Sequence, residues 1–118
     1  MKTRIMLYVD DVDMNVEFWV EEFGAKVVAR QTLNGGYQNV IVGISAETEL
    51  SIFPKDYVRI YSPEVDETVP SLMFFSNRFN ELHDDLLSAG EVSEVNGVLT
   101  FNFQDPEGNY FVVAREED

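Results

Sequence analysis

Cysteine is absent from this chain, histidine occurs once, and eight basic residues stand against 22 acidic ones. Without cysteine there can be no disulfide, no thiolate metal site and no cysteine nucleophile. The formal charge of −14 argues against nucleic acid and anionic membrane as partners, because phosphate binding needs clustered lysine and arginine. No apolar run approaches the ~20 residues of a membrane helix. No charged-then-apolar leader opens the sequence, so a cytoplasmic protein with no membrane partner is expected. The acidic residues are scattered, which suits simple solubility; an acidic cleft for a cationic guest is the other reading of the same charge.

What is present is apolar enough to fold. The chain has 118 residues, 45% of them hydrophobic, with nine phenylalanines. That is one domain by length, with a real core.

Thr3 to Val9 alternates and reads as a strand, and Asp10-Asp11-Val12-Asp13 supplies turn and capping carboxylates, with Asp13 the expected helix cap. Val16, Trp19, Val20 and Phe23 then recur at helical spacing up to Gly24. Strands are expected at Lys26 to Thr32, Tyr37 to Ile44 and Glu49 to Phe53, the first two joined by an Asn34-Gly35-Gly36 turn. A connector over 54–69 follows, whose piece Tyr57 to Tyr61 is left open between an extra strand and an ordered loop.

The pattern then restarts. Ser71 to Phe75 is a strand, and Phe79, Leu82, Leu86 and Ala89 form a helical stripe ending at Gly90. Glu91 to Val95, an Asn96-Gly97 turn, Val98 to Phe103 and Tyr110 to Ala114 complete the second β-α-β-β-β unit. The strand from Ile5 falls on the strand from Leu72, an offset of 67 residues. Strand alternation puts Ile5, Leu7 and Val9 toward the first helix, with Arg4, Met6 and Tyr8 on the other face. Likewise Leu72 and Phe74 face the second helix, with Ser71, Met73 and Phe75 opposite. Asn102 falls on the pocket side, because Phe101 and Phe103 alternate with it. The lone histidine, His83, lies beside the Leu82–Leu86 stripe and is expected on the helix surface.

The turn Phe103-Gln104-Asp105-Pro106-Glu107-Gly108-Asn109-Tyr110-Phe111, set after two strand–turn–helix units, resembles the glyoxalase/bleomycin resistance/extradiol dioxygenase (vicinal oxygen chelate) superfamily. The resemblance covers nearly the whole chain. It implies an α+β fold of two tandem βαβββ modules, curved mixed sheets around a cleft: module one 1–53, connector 54–69, module two 70–118. It also implies a homodimer, because family members cover their cleft walls and sheet edges with a second copy.

Metal-using members carry a ligand at the first strand and at the last strand of each module. The matching positions here are Arg4, Ser71, Val112 and, within a residue of register, Ser51. An always-protonated guanidinium and a valine offer a divalent cation no lone pair. No metal, no cofactor and no catalytic residue are therefore expected.

Cleft-lining residues expected to bind a ligand are Arg4, Met6, Tyr8, Ser71, Met73, Phe75, Asn102 and Val112. Arg4 has two readings, a pair with a carboxylate such as Glu49 or a clamp on a ligand anion. The function implied is that of a glyoxalase/bleomycin-resistance-like protein binding a small molecule, such as a cationic aromatic, without chemistry. The alternatives are a metal-dependent lyase or dioxygenase with a relocated site, or a scaffold-only interaction protein.

Overall fold

Seven alternating residues, Thr3–Val9, form β1 in the computed structural model, which describes residues 1–116. Leu7 and Val9 are buried, whereas Arg4 and Met6 are exposed on the opposite side. The helix α1 (Val12–Glu21) follows, and its cap is Asp11 rather than the expected Asp13: Asp11 Oδ1 accepts the Met14 N–H at 3.0 Å. Asp13 instead sits in the first turn, where a carboxylate suits the helix dipole. Val16, Phe18 and Trp19 are buried along α1. Trp19 meets Phe18 and Phe23 edge-on, with ring centroids 5.2 and 5.0 Å away. Such pairs add ~0.5–1.5 kcal/mol each beyond area burial.

The first sheet is completed by β2 (Lys26–Thr32), β3 (Gln38–Gly43) and β4 (Thr48–Pro54), in the order β1-β4-β3-β2. The β1–β4 pair is parallel and the others antiparallel. A bulge between Val27 and Ala29 breaks the register of β2.

The open piece of the connector is neither strand nor loop. Lys55–Tyr61 is a short helix, α2, that starts after Pro54 and buries Val58. Arg59 grips Glu67 through two 2.9 Å hydrogen bonds and so ties the following loop back to α2.

The second unit, from Pro70 onward, holds β5 (Met73–Ser76), α3 (Phe79–Asp85), β6 (Ser93–Val95), β7 (Val98–Gln104) and β8 (Tyr110–Arg115). Its sheet order is β5-β8-β7-β6, with β5 parallel to β8. That repeats the arrangement of the first unit, Met1–Val69. Among the described residues the fold is α+β, with two four-stranded mixed sheets and three α-helices.

In the second core, Phe101, Phe103, Phe111 and Val113 are at most 1% exposed. Helix α3 is shorter than the stripe suggests, because Leu86 already has extended backbone, yet Leu86 stays buried. Asn96 and Gly97 take positive φ (51° and 81°) and close the β6–β7 hairpin, as a type I′ turn requires. Among the described residues, no helix is long and apolar enough to cross a membrane.

Candidate functional site

The face of the first sheet opposite α1 collects the polar residues. Pairing of β1 with β4 sets Arg4 beside Glu49, Met6 beside Ser51 and Tyr8 beside Phe53. Arg4 donates to Glu49 Oε1 twice, from Nε at 3.1 Å and from Nη2 at 3.0 Å. Lys2 Nζ reaches Glu49 Oε2 at 3.3 Å. Glu49 is buried while both cations stay about half exposed. The Arg4 hydrogen bonds hold the Glu49 carboxyl below its ordinary 4.5; burial opposes them and Lys2 assists. A buried carboxylate is tolerated because two cations compensate it.

One step along the sheet, Asn39 Nδ2 donates to Ser51 Oγ at 3.0 Å, both residues being buried. Asn39 Oδ1 is buried with no partner among the described residues. Beyond it lies a row of rings. Tyr8 and Phe53 are 6.0 Å apart, Phe53 stacks on Tyr57 at 6.3 Å, and Tyr57 stacks on Tyr61 at 5.0 Å. Tyr37 meets Tyr57 edge-on at 5.9 Å. Tyr8, Tyr37, Phe53 and Tyr57 are half-buried and Tyr61 is exposed, and α2 builds the outer end of the row. Sequence reasoning missed it, although Tyr57, Val58 and Tyr61 after Pro54 carry helical spacing.

Close to Tyr37, a shallow depression of about 310 Å³ is lined by Asp10, Asp11, Asp13, Gln38 and Pro54. Two of its carboxylates are already engaged, Asp10 by Lys55 at 3.8 Å and Asp11 as the α1 cap.

The second sheet shows another side-chain chemistry on the corresponding face. Met73 pairs with Val112 and Phe75 with Ala114, while Asn102 pairs with Val112. Met73 and Phe75 are 51% and 62% exposed. Asn102 is exposed between the buried Phe101 and Phe103, as alternation requires. Ser71 is exposed just ahead of β5.

Thus Arg4, Met6 and Tyr8 share one face of the first sheet, while Met73, Phe75, Asn102 and Val112 share one face of the second. The matched pairs Met6–Ser51 and Met73–Val112 fix the register that sequence left loose: Ser51 is the counterpart of Val112.

His83 is not a free surface residue. It is half-buried, donates from Nε2 to the Gly90 carbonyl at 2.9 Å, and packs edge-on to Phe101 at 4.9 Å. Among the described residues, no three His, Cys, Asp or Glu side chains cluster closely enough to hold a metal ion.

The chain can now be set against known proteins. It matches, over residues 3–113, the sequence model of the Glyoxalase/Bleomycin resistance protein/Dioxygenase superfamily. No curated protein matches it in sequence. Among solved structures it is similar to TioX from Micromonospora sp. ML1 (15% identity, 99% of each chain covered, TM-score 0.78). It is also similar to TnmS3, an antibiotic binding protein from Streptomyces sp. CB03234 (17% identity, 99% of this chain and 96% of that one, TM-score 0.77). A lactoylglutathione lyase from Agrobacterium tumefaciens is similar as well (19% identity, 98% and 92% covered, TM-score 0.72). At these identities the structures speak for the fold alone. The family match spans both βαβββ units, and with it this chain belongs to the Glyoxalase/Bleomycin resistance protein/Dioxygenase superfamily.

Proposed function

We propose that this chain binds a small aromatic molecule on the open face of its first sheet and performs no chemistry on it. The observation that carries this reading is the state of the positions where the superfamily resemblance expects metal ligands. Arg4 is committed to Glu49, Ser51 to Asn39, and Val112 has no donor atom. Such a set does not fit a divalent cation, which needs lone-pair donors and usually negative charge. No lyase or dioxygenase step is derived through it.

Binding is supported by the half-exposed rings of Tyr8, Phe53 and Tyr57 beside a few fixed polar groups, the usual make-up of a small-molecule site. Similarity to an antibiotic binding protein agrees with it. The overall charge of −14 favours cationic guests at long range, although the Lys2–Arg4–Glu49 trio at one end of this face has the opposite sign. Met73, Phe75, Asn102 and Val112 on the second sheet belong to the same proposal as a further ligand-contacting surface, with Ser71 ahead of it.

Metal content and thermal melting test the reading. Purified protein should carry no stoichiometric metal, and adding manganese, iron(II), nickel or zinc should leave the melting temperature unchanged. A stoichiometric metal, or a rise of several degrees, would replace binding without chemistry by a relocated metal site.

A homodimer is part of the proposal. β1 and β2 are the edge strands of the first sheet and β5 and β6 those of the second, and Val27, Val28 and Val95 on β2 and β6 are exposed. Open apolar edges are commonly covered in an assembly. Sedimentation equilibrium should give twice the 13.5 kDa chain mass; a species at the chain mass alone removes the dimer.

A further inference from the structure

We infer that the ligand is an aromatic carboxylate, its acid group received by Arg4 and its ring system laid along Tyr8 and Phe53. This rests on the binding role proposed above and adds the ligand's charge and shape. Lys2 and Arg4 both converge on the single carboxylate of Glu49. One positive charge is therefore left uncompensated within this trio, in a protein whose charge is otherwise strongly negative.

Glu49 occupies only one edge of the Arg4 guanidinium, the edge bearing Nε and Nη2. Nη1 has no partner among the described residues, and the Arg4 side chain is 44% exposed. A guanidinium presents five donors in a fixed fork, so an edge held by one carboxylate leaves the other edge pre-aimed at a second. Glu49 acts here as a positioning residue.

Arg4 and Tyr8 lie on the same face, four residues apart on β1. At about 3.3 Å per residue that is ~13 Å of strand. Met6, 43% exposed, lies between them. The face thus offers a cationic end, a soft apolar middle and an aromatic end. A flat molecule of two linked rings with a terminal acid matches that sequence of surfaces, whereas a cationic ligand would meet Arg4 and Lys2 as like charges. Ser71, at the matching position of the second unit, supplies no charge, so this recognition belongs to the first sheet.

The test uses three probes of one shape: biphenyl-4-carboxylate, biphenyl-4-carboxamide and protonated 4-phenylbenzylamine, each titrated calorimetrically into the full chain at pH 7. The carboxylate should bind best, on the order of ten-fold tighter than the amine. Arg4→Gln should abolish the preference for carboxylate over carboxamide and leave carboxamide affinity within about two-fold. The double variant Arg4→Gln/Glu49→Gln removes the buried carboxylate that the single change leaves with Lys2 as its one cation, and should lose the same preference while remaining folded. If the amine binds best, or if carboxylate preference survives in the folded double variant, the inference is overturned and the binding role stands. If none of the three binds wild-type protein, the aromatic-binding role itself falls, and the inference with it.

Discussion

Asp105 and Asn109 close the β7–β8 turn from both ends. The Asp105 N–H donates to the Asn109 carbonyl at 3.0 Å, and the Asp105 carboxylate takes Asn109 N–H at 2.8 Å and Nδ2 at 3.1 Å. Glu107 N–H adds a bond of 3.0 Å to the same carboxylate, and Gly108 supplies the positive φ (83°) that lets the chain turn back. The Asp-Pro-x-Gly-Asn string is thus a structural lock.

Removing that lock should be costly. Asp105→Ala leaves three donors without their acceptor, a loss of about 1–3 kcal/mol. Asp105→Asn keeps one oxygen for the two backbone donors and should lose less. Urea unfolding at pH 7 reads both, and equal stabilities for alanine and wild type would remove the turn from the list of stabilising features.

Two buried carboxylates should respond oppositely to acid. Glu49 is held below 4.5, chiefly by Arg4. Its contribution is fully present above the unfolded value and is lost as pH falls through the lowered folded one. Asp105 is raised above 3.8, chiefly by burial, with its hydrogen bonds working against the rise. Its contribution is fullest below 3.8 and declines as pH rises through the raised folded value. The stability difference between wild type and Glu49→Gln should therefore grow with pH up to about 4.5. The difference between wild type and Asp105→Asn should shrink with pH above 3.8. Urea midpoints between pH 3 and 7 read the two slopes, and slopes of the same sign would contradict the assignment.

Much of this arrangement is legible in the chain. Period-two alternation separates Arg4, Met6 and Tyr8 from Leu7 and Val9, and sets Asn102 apart from Phe101 and Phe103, because a strand face is fixed once one side is buried. Restarted patterns reveal the duplication for the same reason. End effects are less legible. Asp11 and Asp13 are both capping residues by type, and only the chain's entry angle selects Asp11. Leu86 continues the apolar stripe of α3 after the helix has ended, since burial constrains the side chain and not the backbone. Helix α2, at seven residues, spans about two turns, so the helical spacing of Tyr57, Val58 and Tyr61 is too brief to outweigh a strand or loop reading, and its tyrosines gain their meaning from the rings of Phe53 and Tyr37 on neighbouring elements.

That tyrosine row also constrains a turn. Gly35 has φ of +75°, and a Cβ added there would lie 2.9 Å from Tyr61 Oη and 3.2 Å from a Tyr37 ring carbon. Gly35→Ala should cost ~1–2 kcal/mol from the left-handed backbone alone. Displacing Tyr61 adds a smaller amount, because its hydroxyl is the end of a mobile side chain. In a Tyr61→Phe background the same change should cost less; an identical cost in both backgrounds would show that Tyr61 yields freely.

The pair Asn39–Ser51 allows a test of coupling inside the sheet. The Asn39 side chain has one hydrogen bond, from Nδ2 to Ser51, and its Oδ1 has no partner among the described residues. Ser51→Ala therefore strips a buried amide of its remaining partner, at about 1–3 kcal/mol. Asn39→Val removes the amide, leaving only a serine hydroxyl able to turn toward another acceptor. The double variant exchanges both polar groups for apolar ones and should be close to wild type, because a matched apolar replacement removes the desolvation cost along with the bond. A double-mutant cycle should thus give a coupling on the order of 1 kcal/mol. Additive losses would mean that each residue answers to partners of its own, and that the polar layer on this face of the first sheet is not a single unit.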